Sequence, residues 1–200
     1  RYISNHSSGK MGYAIAHAAL RAGAKVTLIS GPVTINAPIG CELISVNSAE
    51  EMHQHALKLA PHCTTFVACA AVADYRVANI ASQKIKKTND AMQLDLVKNH
   101  DIVADVANLT DKPFIVGFAA ETQDVEHYAR GKLMRKNLDL IAANDVAKSG
   151  QGFNSDDNAL TLFSAIDKTE IPLANKKIVA QQLVSLINQH YLAKHNSTKL

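Results

Sequence analysis

The sequence predicts an α/β domain: a mainly parallel central sheet with helices on both faces and a C-terminal hairpin that extends it as a flap. Three observations carry this expectation. Short β-rich runs alternate with stretches of helical period. The runs Thr65–Ala70, Phe114–Phe118 and Leu138–Ala142 are continuously apolar, as strands covered on both faces are. With 47% hydrophobic positions in 200 residues, the chain can fill one core and not clearly two.

Met11, Ala14, Ile15, Ala18 and Ala19 recur at helical spacing, with Ser7 or Ser8 to cap that helix and Gly23 to end it. Val26–Ser30 and Glu42–Val46 read as strands around a turn carrying Gly31, Pro32, Pro38 and Gly40. Ser48 starts a helix that runs to about Ala60. Further helices are expected from about Asp101 and Asp124, each preceding one of the apolar strands. Met92–Leu96 alternates like a strand, and Ala159–Ala165 with Thr169–Leu173 reads as the hairpin. Val179, Leu183, Leu186 and Ile187 mark a final helix, with a fraying, flexible tail from about residue 192.

Composition narrows the function. No apolar stretch reaches the ~18 residues of a membrane span, and no signal peptide opens the chain, so a cytoplasmic protein that neither enters nor binds membrane is expected. A net charge of +3 is too mild to require nucleic acid. Cys41, Cys63 and Cys69 cannot all pair and lack metal or redox spacing, so reduced thiols are expected. Residue 1 leads straight into a dense polar motif, so residues 1–200 are expected to form one domain lacking its first strand, cut from a longer protein.

In such a sheet ligands bind beyond the carboxyl ends of the strands. The motif Asn5-His6-Ser7-Ser8-Gly9-Lys10-Met11-Gly12 puts hydroxyls, glycines and free N–H groups at a helix N-terminus, where an anion such as phosphate is favoured; an ordinary capped helix uses the same residues. It is neither a Walker A loop nor a G-x-G-x-x-G turn. Lys84-Ile85-Lys86-Lys87 reads as a flap over a polyanion or as a solvated edge. Lys132 and Lys136 fall seven residues after Val125 and Ala129, on the core-facing side of their helix, and are expected to snorkel or meet an anion. His53 and His55 point apart on a helix, so no metal pair and no metal-ligating cluster are expected. Cys69, at a strand end, reads as a small buried side chain.

Taken together, Ile3 to Gly12, Ala70-Ala71-Val72-Ala73-Asp74-Tyr75, Lys84 to Lys87, Gly117-Phe118-Ala119-Ala120-Glu121-Thr122, Ala143-Asn144-Asp145 and Gly152-Phe153-Asn154-Ser155 follow a known order and spacing. In this the chain resembles the bacterial phosphopantothenoylcysteine synthetases over nearly its whole length. The resemblance implies a Rossmann-like fold and a CTP-dependent ligase. Such a ligase joins 4′-phosphopantothenate to L-cysteine through an acyl-cytidylate in coenzyme A biosynthesis, with Mg²⁺ carried mainly by the triphosphate. It implies a homodimer, and an upstream decarboxylase that alone would carry FMN.

It further implies that Asn5 and Lys84 act in catalysis. Ser7, Gly9, Ala70, Asp74 and Lys84 would contact substrate or nucleotide, Asp101, Ile102, Val103 and Ala104 would read cytosine through their backbone, and Phe118, Lys132 and Lys136 would complete the nucleotide site. The chain departs from the family in lacking an earlier strand ending in Gly-Gly-Thr, and in having His100 where proline precedes Asp-Ile. A nucleotide-sensing or scaffold domain, or another nucleotide-dependent transferase on the same fold, are the alternative readings.

Overall fold

The structure is a computed structural model that describes residues 3–5, 7–86, 91–145, 147 and 155–196. The motif residues His6, Lys87 and 152–154 lie outside the described residues. Helix α1 spans Lys10–Arg21, followed by strands β1 (Thr27–Ser30) and β2 (Glu42–Ser45) and helix α2 (Ala49–Leu59). Strands β3 (Thr65–Ala68), β4 (Tyr75–Val77) and β5 (Leu96–Lys98) precede α3 (Ile102–Ala107). Then come β6 (Phe114–Glu121), α4 (Val125–Arg135), β7 (Leu140–Asp145), β8 (Asp157–Phe163), β9 (Lys168–Asn175) and α5 (Lys176–Asn196).

The main sheet has strand order β3-β6-β7-β8-β9. Its first three strands are parallel, and the β8–β9 hairpin adds to β7 antiparallel. Side-chain alternation splits the core as a doubly covered sheet requires. Phe114, Val116, Leu140 and Ala142 face α1 and α5, where they meet Ile15, Ala18, Val179, Leu183 and Ile187. Ile115, Ala119, Ile141 and Ala143 face the other way, toward Ala56 of α2, Val106 of α3 and Leu133 of α4. Both helical layers were legible in the sequence.

Several boundaries differ from expectation, each for a physical reason. Strand β7 starts at Leu140, because the buried Leu138 and Asp139 form the turn in which the Asp139 carboxylate accepts the Ile115 N–H at 2.7 Å. The hairpin strand starts at Leu96: residues 91–95 stay irregular and only Leu96–Lys98 pair, antiparallel with Tyr75–Val77. Helix α5 continues past Tyr191, which packs edge-on against Phe114, to Asn196. On α1, Tyr13 and Ala16 are buried as well as Ile15 and Ala18. This helix packs on two sides, with the Tyr13 hydroxyl donating to Ser30 Oγ at 3.0 Å beyond the predicted stripe.

Strands β1 and β2 form a separate parallel pair. A groove of about 4030 Å³ runs between β1 and β3 and out along the irregular arm at residues 78–86. That volume is several times the ~300–1,000 Å³ of a single ligand site, so the groove is more than a binding pocket. Its inner part leaves Leu28, Ile29, Phe66 and Val67, all strand residues, only half-buried.

Candidate active site

The N-terminal segment reaches α1 through a turn that needs glycine. Gly9 caps α1 with φ +74°, and a Cβ there would lie 2.9 Å from Val33 Cγ1. The expected serine caps are replaced by two short turns: Ser7 Oγ accepts from Gly9 N and Ser8 Oγ from Lys10 N, each at 3.4 Å. Asn5 lies where β3 ends. Its Nδ2 donates to the Ala71 carbonyl at 3.4 Å and the Val72 carbonyl at 3.3 Å, so the 70–73 loop fixes the orientation of its amide.

Asn5, Ser7, Gly9, Ala70, Asp74, Lys84, Asp101, Ile102, Val103 and Lys136 all line the groove. Phe118 lies beside it instead, in a smaller cavity that shares Ser7, Gly9 and Ala70. Ala104 and Lys132 line neither. The fold thus brings ten of the thirteen expected residues to one groove.

The two lysines of α4 meet internal partners. Lys132 Nζ sits 2.6 Å from Glu121 Oε1 at the end of β6, and Lys136 Nζ lies 2.8 Å from Asp101 Oδ2. The anions expected beside them are carboxylates of the chain itself. A nucleotide phosphate at Lys136 must share or displace Asp101, which also caps α3 by accepting from Ala104 N at 3.2 Å. With that bond made, the Ala104 N–H is already committed, whereas Ile102 and Val103 line the groove.

Beside this loop the structure assembles a cluster that sequence spacing could not show. His53 of α2 stacks on His100, centroids 4.4 Å apart and planes 4° from parallel, and His53 Nε2 lies 2.8 Å from Asp105 Oδ2. His100 Nε2 is 3.7 Å from Glu50 Oε2. Donor atoms of Glu50, His53 and His100 lie within 4.8 Å of one another, which corrects the expectation of no metal-ligating cluster. Stacked rings direct their in-plane lone pairs side by side, however, and imidazole suits transition metals better than Mg²⁺. The 46 residues between the two histidines hide this pairing from any local pattern.

Cys69 is held as a neutral thiol. Burial pushes its pKa up to about 12, against a smaller opposing pull from Lys176. A group so rarely ionised near neutral pH is a poor nucleophile, in line with its expected role as a small buried side chain.

Against known proteins, residues 1–191 match the family model described as "DNA/pantothenate metabolism flavoprotein C-terminal domain". The chain is 57% identical over 192 residues to the coenzyme A biosynthesis bifunctional protein CoaBC of Vibrio cholerae, covering 94% of this chain and 48% of that protein. To CoaBC of Escherichia coli K12 it is 52% identical over 199 residues, covering 98% of this chain and 49% of that protein. The chain therefore spans about half the length of these curated relatives. The crystal structure of a CoaBC C-terminal domain superposes with a TM-score of 0.79 at 35% identity, covering 94% of this chain and 86% of that one.

Proposed function

We propose, from the premise that this chain belongs to the DNA/pantothenate metabolism flavoprotein C-terminal domain family, that it is a ligase of coenzyme A biosynthesis. It joins 4′-phosphopantothenate to L-cysteine using CTP. The observation that carries this reading is the convergence of Asn5, Ser7, Ala70, Asp74, Lys84 and Lys136 on one groove at the α1 N-terminus and the end of β3.

The chemistry requires two polyanions to meet. The substrate carboxylate attacks the CTP α-phosphorus and pyrophosphate leaves, giving the acyl-cytidylate; the cysteine amine then attacks the acyl carbonyl and CMP leaves. Lysines at the groove rim and the positive N-terminal end of α1 offset the repulsion. Backbone groups of Ile102 and Val103 are fixed by the short helix they begin, and rigid donors and acceptors discriminate bases because a mismatched base leaves them unpaired.

The donor set fits Mg²⁺ carried by the nucleotide. Of the two carboxylates among the expected site residues, Asp101 is tied to Lys136, which leaves the exposed Asp74 to reach a triphosphate-bound ion. The irregular arm also exposes Ile80 (87%), Ile85 (58%) and Met92 (66%), an apolar surface suited to covering by a second subunit, which would bring Lys84 near a shared site. Cytoplasmic residence accords with a chain in which no helix of the described residues is long and apolar enough to cross a membrane. FMN belongs, in this reading, to an upstream domain.

The decisive experiment supplies 4′-phosphopantothenate, cysteine and either CTP or ATP and follows pyrophosphate and product. CTP-dependent release with product formation is expected. CTP binding with no pyrophosphate released would favour a nucleotide sensor, and turnover without cysteine would favour another transferase.

The gap between β1 and β3 supports one further proposal about the domain. Each strand is paired on one side only among the described residues, with β2 and β6, and both pairs are parallel. One strand parallel to both would join the sheets and cover Leu28, Ile29, Phe66 and Val67. Adding upstream of Arg1 the segment that precedes the matched region in the Vibrio cholerae relative is expected to raise Tm by ~2–4 °C for each kcal/mol gained in a domain of this size. An unchanged Tm would remove the proposal.

A further inference from the structure

A second, smaller cavity of about 160 Å³ opens beside the α1 N-terminus, where Ser7 and Ala70 border both it and the groove. Its volume holds about five water-sized groups at ~30 Å³ each, the scale of a free amino acid and far below that of a nucleotide.

Two buried polar side chains line it. Asn158, in β8, is 5% exposed, and its Oδ1 has no hydrogen-bond partner among the described residues. A buried acceptor left unmatched costs free energy unless a ligand supplies a donor. Its Nδ2 meets only the Met11 sulfur, at 3.9 Å. Lys176, at the start of α5, is also 5% exposed, and its Nζ donates to the Ser155 carbonyl at 2.5 Å. The remaining wall includes Met11, Cys69 and Phe118, which are soft or apolar.

An acceptor that lacks a donor and a buried ammonium are together the complement of a zwitterion. An α-amino acid brings an ammonium to the first and a carboxylate to the second. A bare phosphate would satisfy Lys176 and leave Asn158 Oδ1 facing another acceptor.

We propose that this cavity is the subsite for the amino-acid substrate. Asn158 Oδ1 accepts from the α-amine, Lys176 pairs with the carboxylate, and the thiol side chain rests against Met11 and Phe118. The proposal rests on the ligase reading above and adds the recognition of cysteine, for which none of the expected site residues accounts. Its placement suits the second half-reaction, because the cavity shares Ser7 and Ala70 with the groove that would hold the acyl-cytidylate. Asn158 is then a positioning residue.

The test is steady-state kinetics of the full chain and of Asn158→Leu, with CTP and 4′-phosphopantothenate saturating and cysteine varied. Asn158→Leu removes the orphan acceptor at nearly constant shape, a change that a merely structural asparagine would tolerate or gain from. The expected result is a cysteine KM raised at least tenfold, with the KM for CTP and the pyrophosphate released in the absence of cysteine unchanged. Asn158→Asp, which keeps an acceptor, is expected to restore most of the cysteine affinity. The wild type should prefer cysteine to cysteamine, which lacks the carboxylate, and Lys176→Met should narrow that preference at least tenfold.

An unaltered cysteine KM in Asn158→Leu, alongside normal pyrophosphate release, overturns the subsite and leaves the ligase reading standing. Should Asn158→Leu fail to fold, a cysteine KM in Asn158→Asp raised as far as the cysteamine KM would overturn the subsite equally. Absence of CTP-dependent pyrophosphate release from the wild type overturns the ligase reading, and the subsite with it.

Discussion

Asn5→Ala is expected to lower formation of the cysteine adduct about 10²–10³-fold while pyrophosphate release from CTP and 4′-phosphopantothenate continues, the scale of losing one oriented donor at a developing oxyanion. The side chain is exposed, so the loss would not come from unfolding. Its Nδ2 donates to two backbone carbonyls, Ala71 at 3.4 Å and Val72 at 3.3 Å, so acting on the acyl carbonyl requires it to exchange one of these long bonds for the substrate oxygen. Asn5→Asp is expected to be at least as damaging. It replaces a donor by a carboxylate facing those same carbonyl oxygens, acceptor against acceptor, and pushes the 70–73 loop away. Product and pyrophosphate measured in one quenched time course separate the half-reactions. Equal loss of both would move Asn5 to the first step, and no loss of either would remove it from the chemistry.

Leu183→Ala is expected to destabilise the domain by about 2–5 kcal/mol, read as a lower urea midpoint at unchanged slope. Leu183 is fully buried on α5 within the cluster that holds Ile15 and Ala18 of α1 and Phe114 and Val116 of β6. The cavity left by three heavy atoms opens against β6, an interior strand that can shift little to refill it. Helix α1 would loosen with it, and α1 carries the turn proposed to bind the nucleotide phosphates. Nucleotide affinity should therefore fall in Leu183→Ala although no ligand contact is removed. A midpoint unchanged from wild type would show that α5 is not a structural clamp on the site.

Much of the fold could be read locally. Continuous apolar runs at 65–70 and 114–118 announced doubly covered strands, and Ser48 with Glu51 announced the α2 start: Ser48 Oγ accepts from Glu51 N at 3.1 Å while Glu51 Oε2 accepts from Asn47 N at 2.9 Å. Legibility failed where distant chain segments decide. Lys132 and Lys136 showed an anomaly of placement but not its resolution, because Glu121 and Asp101 come from β6 and from the start of α3. The same holds for Asp156, exposed and 2.6 Å from Lys10: the lysine, by hydrogen bond and charge, holds that carboxyl below the usual range across 146 residues. Asn158 gave no sequence signal, since a strand asparagine ordinarily faces water or a turn.

What the sequence determined alone is the local chemistry: apolar period, caps, and the ordered motifs at 3–12, 70–75 and 117–122, since each depends on neighbours within a few residues. Tertiary structure decided which charges pair, that His53 and His100 stack, and that an unmatched acceptor on β8 faces a cavity at the foot of α1. Those outcomes depend on the order in which strands enter the sheet. Pairing β3 with β6 joins residues 49 apart in the chain, and Lys10 meets Asp156 across 146, and no period along the chain encodes such distances.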